Sequence, residues 1–324
     1  MQKVKVASVR RETPEIISLE LVSADGNALA SAPPGSHIDV AVGSACSGQG
    51  TPALRQYSLC QGPQETDRYR IGVKREANSR GGSQWMHEAV REGDVLHIGE
   101  PRDNFAPAKD AGFHLLVAGG IGITPMLSMA LHLHAKGAPF RLEYFVRSME
   151  HAAFAHALER APFRASVGFQ VGVPRERLED AARDLVGARP TPSSHLYVCG
   201  PAPFMGVIER VSEGVWPQGA VHREFFGAAT GQQSADGAFT LRLARSGKEL
   251  QVPAGVPIVE VLEASGIPIE TSCRQGACGT CMVAVLEGTP DHRDSFLLPD
   301  EQVEGRCIIT CVSRSRSPTL VLDL

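Results

Sequence analysis

The sequence predicts a multidomain α/β plus β chain: an antiparallel β-barrel, then a parallel α/β domain, then a small β-rich domain. Three observations carry that expectation. The N-terminal part breaks into short β-type runs between turn signals, with one helical stretch. The middle part alternates strands and helices behind a glycine-rich turn. The C-terminal part holds four cysteines at a characteristic spacing. Many short strands with a single helix suit a closed antiparallel barrel. Strand–helix alternation means a parallel sheet with helices on both faces. A chain of 324 residues has room for two or three domains at roughly 100–200 residues each. The boundaries read as 1–106, 107–226, a small, polar, glycine-bearing linker at 227–237, and 238–324.

In the first segment, 4–11, 16–22, 37–42, 56–60, 69–74 and 95–99 read as strands and 83–90 as the helix. Three motifs stand out: Pro34-Gly35-Ser36-His37-Ile38-Asp39, Arg55-Gln56-Tyr57-Ser58-Leu59, and Val73-Lys74-Arg75 followed by Arg80-Gly81-Gly82-Ser83. The last has the chemistry of an anion seat. Two glycines admit a phosphate to the backbone, a helix start offers unpaired N–H groups, and the Ser83 hydroxyl adds a donor. Arg55 offers a charge-assisted bond. Tyr57 offers a flat face to a ring system and Ser58 a hydroxyl at its edge. Each motif also has a plainer reading, as a serine cap after a glycine turn or as ordinary strand residues.

The second segment opens with an apolar strand at 114–118, the turn Gly119-Gly120-Ile121-Gly122-Ile123-Thr124-Pro125 and a helix over 126–135. Pro125 fits a first helical turn. Strands at 141–146, 165–171 and 195–199 alternate with helices at 152–160, 178–185 and 203–211. Ligands of such sheets bind beyond the carboxyl ends of the strands. Glycines there admit a pyrophosphate against a helix start, though a glycine-rich turn can be purely structural. The later Tyr197-Val198-Cys199-Gly200-Pro201 tells against that purely structural reading. Arg147-Ser148 follows the second strand, where adenosine ribose is expected. An acidic residue there would favour NAD and an arginine can accept a 2′-phosphate, so Arg147 leaves NADH and NADPH both open.

In the third segment Cys273, Cys278, Cys281 and Cys311 follow C-x4-C-x2-C…C, the plant-type [2Fe–2S] spacing. Zinc sites usually carry two short cysteine hooks, and here there is one hook and a lone cysteine. Cys307 is a rival fourth ligand, but only Cys311 gives the ferredoxin-like spacing, so Cys307 reads as a buried core residue. Strands are expected at 239–244, 249–252, 282–286, 308–312 and 319–322, with a helix at 257–264 and a turn at 300–304. That is a β-grasp pattern.

Composition narrows the function classes. A net charge of −4 gives no basic surplus for nucleic acid. No apolar run approaches the roughly 18–20 residues of a membrane span, and the first residues have no signal-peptide character. A cytoplasmic, monomeric chain is the expectation, with Cys46, Cys60, Cys199 and Cys307 as free thiols.

Together and in this order, the motifs resemble the ferredoxin–NADP reductase superfamily. With the ferredoxin-like end, the whole chain resembles the phthalate dioxygenase reductase family of Rieske oxygenase reductases, which includes vanillate and other aryl O-demethylase reductases. The resemblance implies a flavin, FMN, held by Arg55, Tyr57, Ser58, Val73, Lys74, Arg80, Gly81, Gly82 and Ser83. FMN also suits a phosphate seat with no evident adenine platform. It further implies a pyridine nucleotide, usually NADH, on Gly120, Gly122, Thr124, Pro125, Arg147, Ser148, Cys199, Gly200 and Pro201. Ser58 and Cys199 would flank the hydride path, with Phe226 covering the flavin face. His37 reads as structural. The implied partner is a cognate terminal Rieske oxygenase met transiently, with Arg274 and Gln275 as docking candidates. Two other classes compete: a reductase for another soluble acceptor, and a redox sensor that holds cofactors without turnover.

Overall fold

Lys3, Lys5 and Ala7 face water while Val4 and Val6 between them are buried, the period-two pattern of a half-buried strand. The pattern recurs along the first part of this computed structural model. Residues 1–43, 53–77, 81–103, 105–187, 189–226, 237–271, 276, 279–294, 296–297 and 299–324 are described. Arg80, Cys46, Cys273, Arg274, Gln275, Cys278 and 227–236 lie outside them. Residues 1–226 form one unit and 227–324 a second.

The first unit begins with β1 (Gln2–Arg11), β2 (Ile16–Ser23), β3 (Ser36–Val42), β4 (Ala53–Ser58), β5 (Arg68–Lys74), α1 (Gly82–Glu88), β6 (Val95–Ile98) and β7 (Arg102–Asp103). The strands order β4-β3-β6-β1-β2-β5, all antiparallel, with β7 beside β3. An antiparallel bridge from Leu59 to Ile71 brings the end of β4 back to β5 and nearly closes the barrel. Val4, Leu19, Ile38, Val40, Ile71 and Val73 fill it, with Met86 of α1 as a plug.

The same unit continues through β8 (Phe113–Gly119), α2 (Ile123–Ala135), β9 (Phe140–Val146), α3 (Ala155–Arg160), β10 (Val167–Val171), α4 (Leu178–Val186), β11 (Ser194–Cys199), α5 (Ala202–Ser212) and β12 (Val221–Glu224). The parallel sheet runs β10-β9-β8-β11-β12. Alternation again divides its faces. Leu116 and Ala118 pack with α2 and α3, and Leu115 and Val117 with α4 and α5. The strand order reverses between β8 and β11, so the turns following these two strands face one crevice. Phe105, Cys60 and Ile16 from the barrel side join the α2 core, so the barrel and this sheet share packing.

The second unit comprises β13 (Phe239–Leu243), β14 (Glu249–Val252), α6 (Ile258–Ala264), β15 (Met282–Glu287), β16 (Pro290–Asp291), α7 (Pro299–Glu304), β17 (Cys307–Ile309), β18 (Arg314–Ser315) and β19 (Thr319–Leu322). Its main sheet runs β14-β13-β19-β15-β17, with β13 and β19 parallel. Ile258 and Leu262 of α6 cover its core. The buried Arg314 guanidinium donates to the carbonyls of Val256, Pro253 and Gly237, tying the unit's first residues to its last strands.

Several local expectations change. The turn expected at 300–304 is the helix α7, which Asp300 and Glu301 favour in its first turn. The helix expected at 152–160 starts late, because Phe154 is left-handed (φ 59°) and α3 begins only after it. The strand expected at 308–312 stops at Ile309. Thr310 donates both its N–H and its hydroxyl to the Cys281 carbonyl and turns the chain. Cys307 is half-buried opposite Ala284 rather than buried. The short strands β7, β12, β16 and β18 carried no visible sequence pattern.

Glu143 lies fully buried on β9, held by Arg141 and by Gln170 at 2.9 Å. It fits because residue 168 on the neighbouring strand is glycine, where a Cβ would overlap its carboxylate. Gly168→Ala should destabilise the first unit by ~1–3 kcal/mol, the usual cost of overpacking. Thermal denaturation checks this, and an unchanged Tm would mean that the carboxylate can move aside.

Candidate functional site

On the barrel side, β4 carries Arg55, Tyr57 and Ser58. The Arg55 side chain lies over Gly82, where an added Cβ would come within 2.8 Å of Nε. Gly81 takes the left-handed conformation (φ 83°) that starts α1. A guanidinium above two glycines at a helix start fits a phosphate group, and half-buried Tyr57 fits one face of a flat ring. The Ser83 hydroxyl accepts the Glu76 N–H at 3.1 Å, which ties residue 76 to the first turn of α1. The Val73 carbonyl pairs with His87 Nε2 at 2.9 Å, and Lys74 with Glu76 at 2.8 Å. Arg80 lies outside the described residues.

On the nucleotide side, the two glycine-bearing turns touch. A Cβ on Gly122 would run into the peptide between Cys199 and Gly200. One on Gly200 would meet Phe204 at 2.9 Å and the Gly119 Cα at 3.1 Å. Gly120 takes a positive φ of 55°. Thr124 donates to the Ile121 carbonyl at 3.0 Å, and Pro125 sits buried in the first turn of α2. A Cβ on Gly72 of β5 would meet the Thr124 methyl at 2.7 Å, so the barrel abuts this turn. Pro201 precedes α5. Beyond β9, Arg147 pairs with Glu15 of the β1–β2 turn at 2.8 Å, and Ser148 with His151 Nδ1 at 2.8 Å.

The two sides meet at Glu224. Ser58 Oγ donates to its Oε2 at 3.2 Å, and Cys199 is its register partner on β11. Ser58 and Cys199 are therefore brought together by a third residue. Burial pushes the Glu224 carboxyl up to about 8, against the lowering effect of the Ser58 hydrogen bond and with Asp103 adding a like charge. Cys199 has no exposed surface, and burial drives its thiol far above its ordinary value. It stays protonated, which suits a packing group beside a ligand rather than a nucleophile. Sequence reasoning missed Glu224. The available signal was an acid directly before the aromatic pair Phe225 and Phe226. Phe225 packs into the α5 core, whereas Phe226 is 39% exposed at the end of the first unit.

In the second unit Cys281 and Cys311 are both buried, neither in a disulfide. Thr310, next to Cys311, is bonded through its N–H and hydroxyl to the Cys281 carbonyl, which holds the two thiols' segments together. Gly276 (φ 75°) packs on Val312 and the Asp294 backbone, and Gly279 (φ 71°) on the Phe296 ring. Side chains at either glycine would clash with these neighbours. Reduced, buried thiols beside closely packed glycines fit a thiolate-bound cluster. Cys273 and Cys278 lie outside the described residues.

The raised Glu224 pKa has a stability consequence. The folded protein keeps a proton that an ordinary carboxyl near 4.5 releases on unfolding. That contribution is complete below about pH 4.5 and is lost as pH rises through about 8. Glu224→Gln should therefore gain stability relative to the parent as pH rises from 6 to 9, by roughly 5 °C in Tm. Thermal denaturation across that range checks it. A difference independent of pH would show that the carboxyl is already ionised at neutral pH.

Known proteins resemble the chain over its whole length. The 2Fe-2S iron-sulfur cluster binding domain family matches residues 241–316. The chain is 41% identical to vanillate O-demethylase oxidoreductase of Pseudomonas sp. (strain HR199 / DSM 7063), over all of both chains. It is 39% identical to phthalate dioxygenase reductase of Burkholderia cepacia, covering 99% of this chain and 97% of that one. A solved phthalate dioxygenase reductase, described as a modular structure for electron transfer from pyridine nucleotides to [2Fe-2S], superposes with a TM-score of 0.76. It covers 99% of this chain and 97% of its own, at 38% identity. Over its whole length, the chain belongs to the phthalate dioxygenase reductase family.

Proposed function

We propose that the chain is the reductase component of a two-component Rieske-type aromatic oxygenase or O-demethylase, passing electrons from NADH by way of FMN and a [2Fe–2S] cluster to a separate terminal oxygenase. It works as a cytoplasmic monomer that meets its oxygenase transiently. The observation that carries this reading is the meeting of Ser58, Cys199 and Glu224 where the barrel and both glycine turns converge. Such a junction suits stacking a nicotinamide against a flavin. The cysteine loop supplies the next station on the same chain. When bound, FMN takes electrons in pairs and the cluster takes them singly, so the flavin serves as the converter.

The chain's own residues bind, orient and exclude water. Arg55, Gly81, Gly82 and Ser83, with Arg80, hold the flavin phosphate. Val73 and Lys74 line the barrel edge beside it, and Tyr57 packs on the ring. Gly120, Gly122, Thr124, Pro125, Gly200 and Pro201 receive the nucleotide's pyrophosphate and nicotinamide ends, and Arg147 and Ser148 its adenosine ribose. Ser58, held by Glu224, keeps its hydroxyl at the reacting edge. Neutral Glu224 and protonated Cys199 keep negative charge away from the place where a hydride must arrive. Phe226 covers the flavin face until nicotinamide displaces it. Cys273, Cys278, Cys281 and Cys311 ligate the cluster.

Anaerobic mixing of the holoprotein with NADH tests the reading. Flavin bleaching followed by a rhombic [2Fe–2S] EPR signal is expected. In Cys311→Ser, bleaching should persist at a rate within about threefold of the parent while that EPR signal is lost or strongly altered. Bleaching without a cluster signal in the parent would point to a simple flavin reductase, and no bleaching would point to a sensor. Adding candidate oxygenases and soluble carriers to the reduced protein separates an oxygenase reductase from one serving another acceptor.

A further inference from the structure

Among the described residues, Arg147 forms its ion pair with the barrel rather than with the parallel-sheet part that carries it. Its side chain is 69% exposed, and its guanidinium bonds at 2.8 Å to Glu15, which belongs to the β1–β2 turn of the barrel. Hydrogen bonds to backbone groups hold that turn in place. Thr13 Oγ1 accepts the N–H groups of Glu15 and Ile16, at 3.2 and 3.0 Å. The Glu15 carbonyl accepts the Arg75 N–H at 2.8 Å. A second carboxylate on the turn, Glu12, accepts the N–H of left-handed Phe154 at 3.2 Å and a Ser18 hydroxyl bond at 2.7 Å. The segment from Arg147 to Phe154 is thus clamped to the barrel at both ends. Arg147 holds the Glu15 carboxyl below the usual carboxylate range, so Glu15 is ionised at neutral pH.

The nearby charges cancel. Arg147 is matched by Glu15, and neighbouring Lys74 by Glu76 at 2.8 Å. An arginine beyond the second strand can receive a 2′-phosphate, and a phosphate monoester carries about −1.5 to −2 charges at pH 7. A 2′-phosphate arriving here meets a guanidinium already satisfied and a carboxylate of its own sign. A ribose diol meets neither obstacle, because the carboxylate can accept its hydroxyl hydrogens. We propose that Glu15, a residue of the flavin barrel, is the specificity-determining residue for the nucleotide: by holding Arg147 it makes the adenosine seat neutral and turns away the 2′-phosphate of NADPH. This rests on the reading that Arg147 lies beside the adenosine ribose.

The test uses the full-length holoprotein and the variants Glu15→Gln, Arg147→Ala and the double variant. Steady-state oxidation of NADH and NADPH with ferricyanide gives the ratio of their kcat/KM values. Calorimetric titration with 2′,5′-ADP and with 5′-AMP gives binding independent of turnover. Glu15→Gln should raise the NADPH-to-NADH ratio and the relative affinity for 2′,5′-ADP by roughly tenfold, equivalent to ~1.4 kcal/mol. The gain should vanish in the double variant. If Glu15→Gln shifts both nucleotides equally, or lowers Tm with the ratio unmoved, Glu15 is only a structural clamp and the proposal fails. If Arg147→Ala leaves both titrations unchanged, the placement of the ribose beside Arg147 is what fails.

Discussion

Two backbone turns can lie in contact only where neither carries a side chain at the touching point. That constraint shapes the first unit. Gly122 presses on the peptide between Cys199 and Gly200, and Gly200 in turn lies against Gly119 and Phe204. The contact sits at the reversal of strand order, where a parallel sheet leaves a crevice at its carboxyl end. Gly72 extends the close packing to the barrel through Thr124. The position of Cys199 is fixed by the same contact, and through strand register so is that of Glu224. The junction therefore depends on absent side chains as much as on present ones.

Polar groups at this junction are tuned by burial. Glu224 keeps a proton that water would let it release at neutral pH, and burial makes the Cys199 thiol still harder to ionise. Charge is concentrated further out, in the Arg147–Glu15 and Lys74–Glu76 pairs. A neutral interior with compensated charges at its rim suits a step that moves electrons into a buried ring, since a fixed negative charge there would oppose their arrival.

What was legible in the sequence follows from how each feature is encoded. The cysteine spacing is local and rigid, so four positions announce a cluster, and the matching domain family spans all of them. Glycine turns and strand–helix alternation are local as well, and the three-part fold follows from them. Glu224 and Glu15 were not legible as working residues. Each takes its meaning from a partner far along the chain, Ser58 in one case and Arg147 in the other. The two-residue strands β7, β16 and β18 are too short to show any period. The helix α7 lies where acidic residues read equally well as a turn, and its first-turn acids decide between them only in the folded chain. The break before α3 depends on Phe154, whose left-handed backbone is held by the barrel residue Glu12 rather than by a local glycine.

The strand order also sets a schedule for synthesis. β8 pairs with β9 on one side, but on the other with β11, which leaves the ribosome much later. At about 5–20 residues per second the wait is on the order of ten seconds. Throughout it, the inner edge of β8, its backbone groups unsatisfied, is open to any other extended segment, including one on a neighbouring nascent chain. The glycine turn that later faces the crevice has nothing to rest against until β11 and its own turn arrive. Within the newborn first unit the nucleotide crevice is therefore among the last parts to close, and its future walls are the surface that chaperones have most reason to shield.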